Sequence, residues 1–266
     1  MRNLNQKVIV LTGASSGIGR ATALALAAEG AVLHLVARRE QRLAEVCSEA
    51  NARGGTATAH AFDVRDTEAF ARMASRVHAD HGRVDVLINN AGVGATKAFL
   101  ETTDDDWAWT FDTNFHAVVR GIRMFLPTMI EHGGGTIVNV ASLAGVMANT
   151  LAAYSASKFA VVGMSESLLL EYGDKGLNVV VVCPGVISTE IATASIDAGR
   201  TNGVIGPSLQ KLLAAHGAAP EQVARDLVRA IRHPRFIVPT PMHATVLRRV
   251  HRMFPDLARM LTRRLS

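Results

Sequence analysis

Tyr154 and Lys158 stand four residues apart in Tyr-Ser-Ala-Ser-Lys, so on a helix their side chains share one face, about one turn apart. An ammonium beside a phenol favours the tyrosinate, which lowers the tyrosine pKa from about 10 towards the working pH. A tyrosine tuned in this way can exchange a proton with a carbonyl or alcohol oxygen. Taken alone, the pair also suits an amphipathic helix with a half-buried tyrosine and a lysine lying along it. Ser142 follows the apolar run Thr136-Ile-Val-Asn-Val-Ala141 and so falls at the C-terminal end of a strand, where open parallel sheets collect their ligands. Its hydroxyl can hydrogen-bond a substrate oxygen.

A glycine loop supplies the second chemical signal. Thr12-Gly-Ala-Ser-Ser-Gly-Ile-Gly19 directly follows the first apolar run and opens a stretch of Ala, Thr and Leu. Gly13 permits a tight turn, Gly17 lets backbone approach a pyrophosphate, and Gly19 allows close helix packing, with helix-start amides facing the anion. The second apolar run ends in His34-Leu-Val-Ala-Arg-Arg39 without a carboxylate. An acid there would accept from a free ribose 2′-hydroxyl and repel a 2′-phosphate, whereas Arg38 and Arg39 suit the phosphate, so NADP(H) is expected.

The loop's Gly-x-x-x-Gly-x-Gly spacing, with Asn89-Asn-Ala-Gly92 and Tyr154-Ser-Ala-Ser-Lys158, resembles the classical short-chain dehydrogenase/reductase family over about residues 7–240. The resemblance implies that Gly13, Ser15, Ser16, Gly17, Ile18 and Gly19 hold the cofactor pyrophosphate and that Asp63, next to Val64, contacts adenine. It implies that Asn90, Ala91 and Gly92 border the cofactor, together with Tyr154, Lys158, Pro184 and Gly185, and that Thr189 binds the nicotinamide carboxamide. Catalysis then falls to Ser142, Tyr154 and Lys158, with Asn114 of Phe111-Asp-Thr-Asn-Phe115 supporting a water relay towards the lysine. By the same resemblance residues 190–218 form a substrate lid, and the protein assembles as a homodimer or homotetramer.

These groups need a scaffold that brings them together. Short Val- and Ile-rich runs near 7–12, 31–37, 56–62, 84–89, 135–141, 177–183 and 235–239 alternate with Ala-rich helical stretches. That alternation predicts a doubly wound α/β Rossmann fold, with a seven-stranded, mostly parallel sheet and helices on both faces. Thr103-Asp-Asp-Asp106 predicts the start of one long helix reaching about Ile130, where Gly133-Gly-Gly135 stops it, and a further helix spans 152–172. No linker divides the chain, so residues 1–240 are expected to form one dinucleotide-binding and catalytic domain, followed by a basic helical extension, 241–266.

Composition narrows the function. The chain has 266 residues, 48% hydrophobic and 19% charged, enough to bury a substantial core. Two distant cysteines, Cys47 and Cys183, exclude a disulfide framework and predict a reducing, cytosolic compartment, and no signal peptide or membrane span is expected. Cys183 beside Pro184 has no neighbouring cation in sequence and reads as a buried structural thiol. The ten histidines show no metal-ligand spacing, and His78 and His81 read as a solvated helix end.

The net charge of +5 resides in residues 244–266, so the body is neutral and, with aromatics at 5%, nucleic acid is not an expected partner. On a helical wheel Val246, Val250, Met253, Leu257 and Leu261 share one face of that extension, with Leu247, Phe254 and Leu265 at its margin and arginines opposite, and Pro255 divides it. Either the stripe packs on the core or a partner subunit, or it lies on an anionic membrane.

Apolar residues between 190 and 218 suggest an apolar alcohol or ketone as substrate, of steroid, retinoid or aliphatic type. The family's 3-oxoacyl carrier-protein reductases, which finish shortly after a glycine-rich final strand, are the alternative. A non-catalytic NADP(H) sensor and a membrane-surface interaction protein are the others.

Overall fold

The computed structural model describes residues 3–187, 200, 217–256 and 259–260. The Val- and Ile-rich runs become strands β1 (Val8–Thr12), β2 (Val32–Ala37), β3 (Thr56–Ala61), β4 (Val86–Asn89), β5 (Gly135–Val140), β6 (Leu177–Pro184) and β7 (Ile237–Thr240). Between and after them lie helices α1 (Gly17–Ala27), α2 (Glu40–Ala52), α3 (Thr67–His81), α4 (Asp104–Phe111), α5 (Ala117–Glu131), α6 (Ala152–Tyr172), α7 (Pro220–Arg232) and α8 (Met242–Met253). The sheet order is β3-β2-β1-β4-β5-β6-β7 with every neighbouring pair parallel. Helices α1, α2 and α7 bury one face, and α3, α5 and α6 the other.

Burial on both faces explains why the inner strands read as continuous apolar runs; all five residues of β1 are buried. Pro239, which cannot donate to a ladder, sits on edge strand β7. The order reverses between β1 and β4, so a crevice opens at their C-terminal ends, where the glycine loop and Asn89–Gly92 meet.

A buried polar chain crosses the sheet. Asn89 Nδ2 donates to Asn139 Oδ1 (2.9 Å), Asn139 Nδ2 to Ser165 Oγ (2.9 Å), and Ser165 Oγ to the Val161 carbonyl (2.6 Å). All three side chains are buried, and these bonds tie β4, β5 and α6 together.

The helix expected to run unbroken from Thr103 to Ile130 is instead interrupted between α4 and α5. Asp112–His116 is wound with wider π-type spacing, which leaves Thr113 and Asn114 buried. Such bulges collect at functional sites. At the other end of the chain α8 stops before Phe254 and helix resumes at Pro255. Leu257, Leu261, Arg263 and Leu265 lie outside the described residues.

His78 and His81 do not form a solvated helix end. His78 Nε2 lies 2.9 Å from Thr128 Oγ1 with its ring against Phe125, and the His81 ring packs edge-on to His34, centroids 4.9 Å apart. His34 is buried in β2, with Nδ1 3.0 Å from His60 Nε2 of β3 and no partner for its own Nε2. Among the described residues no group of three His, Cys, Asp or Glu is arranged to hold a metal ion.

Burial, reinforced by His60 and His81 and only partly opposed by Asp80 of α3, lowers the His34 pKa from 6.5 to about 4. The folded state therefore resists a proton that the unfolded chain accepts. This group's contribution is full above pH 6.5 and falls as pH drops towards 4, by at most about 3 kcal/mol. Urea titrations across that window should show the loss in the wild type and a flatter profile in His34→Val. Equal losses in both proteins would remove His34 as the cause.

Candidate active site

The loops after β1 and β4 are built into each other. Thr12 Oγ1 accepts from the amides of Asn90 (3.0 Å) and Ala91 (3.1 Å), while Asn90 Nδ2 donates to the carbonyls of Thr12 (3.0 Å) and Gly13 (3.2 Å). Gly13 adopts φ +70°, and a Cβ there would meet Ala91 Cα at 2.8 Å. A Cβ at Gly19 would lie 2.1 Å from the Gly13 carbonyl oxygen, so the turn closes only with glycine at both positions.

Above this junction opens a cleft of about 460 Å³. Gly13, Ser15, Ser16, Gly17, Ile18 and Gly19 form one part of its lining, Arg38, Arg39, Asp63 and Val64 another, and Asn90, Ala91 and Gly92 a third. Ser142, Tyr154, Lys158, Pro184 and Gly185 also line it. Thr189 lies outside the described residues, as does most of 190–218. Phe62, Val93, Ala141 and Ile187, which sequence reasoning did not single out, add apolar surface.

The catalytic candidates come from three elements. Ser142 lies two residues beyond β5 and caps a short helical turn, its Oγ accepting from the Ala144 amide at 3.1 Å. Tyr154 and Lys158 are successive turns of α6. Lys158 is buried, donates to the Val140 carbonyl at 3.0 Å, and has Nζ 5.8 Å from the Tyr154 ring centre. Burial lowers its pKa to about 8.

The expected lowering of the tyrosine pKa does not occur. Burial raises it, and a hydrogen bond with Ser142 only partly opposes that. Burial taxes the charged form of both partners, so the lysine is weakened as a cation while the phenol holds its proton. Cys183 has its thiol pushed up to about 12 by burial, as befits an inert structural residue.

Asn114 stands behind the cleft wall. Its Oδ1 accepts from the Val93 amide (2.8 Å), and its Nδ2 donates to the Val93 carbonyl (2.8 Å) and to Ser157 Oγ (3.0 Å). A Cβ on Gly92 would lie 3.3 Å from both Asn114 Oδ1 and Lys158 Nζ, so Gly92 separates the two side chains.

Comparison with known proteins fits this geometry: the sequence model described as short chain dehydrogenase matches residues 7–199. The chain belongs to the short chain dehydrogenase family. It is 36% identical over 264 residues to the probable oxidoreductase EphD of Mycobacterium tuberculosis, covering 96% of the chain but only 44% of that protein's length. Ketoacyl reductase HetN of Nostoc is 36% identical over 88% of the chain and 78% of its own length. Human epidermal retinol dehydrogenase 2 is 35% identical over 90% of the chain and 75% of its own length. Among solved structures, a Burkholderia phymatum short chain dehydrogenase/reductase in complex with NAD superposes with TM-score 0.86 at 30% identity, covering 97% of this chain and 96% of that one. L-sorbose reductase from Gluconobacter frateurii, complexed with NADPH and L-sorbose, gives 0.78 at 30% identity, covering 90% and 96%.

The cleft of this family member is chemically suited to a nicotinamide dinucleotide. Helix α1 has no side-chain cap and no acid in its first turn, whereas α3 and α4 are capped by Asp66 and Thr103. Its open amides are donors for a pyrophosphate. Arg39 donates to Ser16 Oγ (2.8 Å) and Ser15 Oγ (3.3 Å), and Arg38 lies 3.9 Å from Asp63. Asp63 itself is gripped at both oxygens by Arg65 (3.1 and 2.9 Å), which the sequence did not suggest.

A second cluster missed in the sequence borders the loop after β4. Asp106, buried, accepts from Lys97 (2.7 Å), Arg200 (2.7 Å) and Thr103, with which it forms a capping box. Arg200 also reaches Asp105 at 2.6 Å and stacks 5.0 Å over the Trp109 ring. Burial alone would raise the Asp106 carboxyl, but these donors hold it well below the usual carboxylate range. The cluster pins the Val93–Lys97 loop, where a Cβ on Gly94 would lie 3.4 Å from Tyr154 Cδ2.

Proposed function

We propose that this chain is an NADP(H)-dependent oxidoreductase that moves a hydride between the nicotinamide and an apolar alcohol or ketone, in a reducing, cytosolic setting and as a homodimer or homotetramer. One observation carries the reading: a single cleft holds the open glycine loop at one end and Ser142, Tyr154 and Lys158 at the other. NADP(H), when bound, supplies or accepts the hydride. Tyr154 gives its proton to the carbonyl oxygen, or takes one from the alcohol, with Ser142 hydrogen-bonding the same oxygen. Lys158 holds positive charge beside the tyrosine and offers its ammonium to the cofactor's ribose. Asn114 fixes the backbone at Val93.

Apolar substrates are favoured by Val93, Ala141 and Ile187 in the wall and by the name of the retinol dehydrogenase relative. A 3-oxoacyl thioester is the second reading, favoured by the name of HetN. Steroid, retinoid and aliphatic ketones and alcohols, with a 3-oxoacyl thioester alongside, should be assayed with NADPH and NADP⁺ by nicotinamide absorbance. Turnover of none of them would overturn the proposal.

Arg38 and Arg39 carry the cofactor preference. Arg38 is expected to pair with the 2′-phosphate, a charge-assisted contact that NADH lacks. Arg38→Asp should therefore weaken NADPH about ten- to a hundred-fold in fluorescence titrations and reverse the preference. Equal wild-type affinities for NADPH and NADH would show that the arginines do not select the cofactor.

A further inference from the structure

Helix α8 is mounted the wrong way round for a helix that packs on its own fold. Such a helix turns its apolar stripe inward. Here Ala244 is the buried residue, Thr245 Oγ1 donates to the Pro239 carbonyl at 3.3 Å, and Arg248 and His251 are half-buried. The large apolar side chains point the other way: Met242, Val246, Leu247, Met253 and Phe254 are 81, 54, 45, 69 and 55% exposed. Of the stripe, Val246 and Met253 are exposed and Val250 is half-buried, while Leu257 and Leu261 lie outside the described residues, so within α8 the chain's own core leaves most of the apolar face uncovered.

Charge decides what could cover the face. Arg249 and Arg252 are exposed beside the apolar residues, and among the described residues no carboxylate pairs with either of them or with Arg248. The whole net charge of +5 falls in this extension, with Asp256 its one acid, and that acid is held by Arg259 at 2.8 Å. A second copy of this face brought against the first would oppose arginine to arginine with no acid to separate them. An apolar strip edged with unpaired guanidinium groups fits a surface that is apolar beneath and anionic at its rim.

We propose that α8 docks this dehydrogenase on an anionic lipid surface, with Val246, Leu247, Met253 and Phe254 entering the acyl boundary and Arg249 and Arg252 meeting the headgroups. The helix begins beside the cleft: a Cβ on Gly185 would lie 3.0 Å from His243 Nε2 and 3.3 Å from Ala244 Cβ. A lipid-bound molecule would thus hold its cleft beside the reservoir of an apolar substrate. Among the described residues no helix is long and apolar enough to cross a membrane, and the contact proposed is that of α8 lying in the interface.

The test needs no turnover, so its failure and that of the proposed reaction are separable. The full chain is sedimented with phosphatidylcholine vesicles and with phosphatidylcholine–phosphatidylglycerol vesicles, at low and high salt. Binding to the anionic vesicles alone, reduced at high salt, is expected. Arg249→Gln/Arg252→Gln should weaken it about 30-fold. Val246→Glu/Met253→Glu, which alters only exposed positions, should abolish it although every arginine remains. Absence of binding at low salt overturns the proposal, as does binding indifferent to lipid charge. A Val246→Glu/Met253→Glu protein that binds vesicles normally but dissociates in sedimentation velocity would show that a second copy covers the face instead.

Discussion

Tyr154→Phe is expected to reduce turnover by about a hundred- to ten-thousand-fold, the usual worth of a positioned general acid or base. The substitution keeps the ring beside Gly94 and removes only the hydroxyl, so cofactor affinity should stay within about two-fold by fluorescence titration. Because burial raises the phenol's pKa, the tyrosine of the free protein waits in its protonated form, ready to donate in the reductive direction. Lys158→Ala should instead damage both quantities, since the lysine lines the cleft and neighbours the tyrosine. Wild-type turnover by Tyr154→Phe with any accepted substrate would send the search to another acid.

Asp106→Ala should be the most destabilising single change around the site, at about 3–5 kcal/mol in urea unfolding. It strands Lys97, leaves Arg200 with Asp105 as its remaining carboxylate, the two cations being only 18 and 20% exposed, and removes the Asp106 half of the α4 capping box at the same time. Asp106→Asn keeps a capping acceptor and loses the charge, so its cost should be smaller. If Asp106→Ala lost less than about 1 kcal/mol, Lys97 would have to be satisfied by water and Arg200 by Asp105, and Asp106 would not be what pins the Val93–Lys97 loop.

The sheet was legible because a strand buried on both faces must be apolar throughout, and runs such as Val8–Leu11 and Val179–Val182 leave no other reading. The glycine loop was legible for a similar reason: its glycines are imposed by close backbone approaches, Gly19 on the Gly13 carbonyl and Gly13 on Ala91, and those leave a fixed spacing in the sequence. Most of what could not be read is non-local. His34 shows in the sequence as one polar residue in an apolar run, and nothing there brings His60 and His81 to it. Lys97, Asp106 and Arg200 meet only after the chain has folded, and Arg65 covers Asp63 by side-chain choice alone. The π-type turn at Asp112–His116 has no periodicity signal of its own, because one extra residue shifts the helical phase without changing composition. The wheel of the C-terminal extension separated apolar from basic residues, yet a wheel has no body beside it and does not say which side faces the protein.

The Asn89–Asn139–Ser165 chain has a consequence for how this sequence can drift. Each amide spends its donor on the next link, so losing Asn139 orphans the Asn89 amide and leaves Ser165 without its donor partner at one stroke. A second loss then costs little more than the first, because the partner it would have deprived is already deprived. The three positions are expected to change together: lineages of this fold that replace one of them with an apolar residue should be found to have replaced the others too.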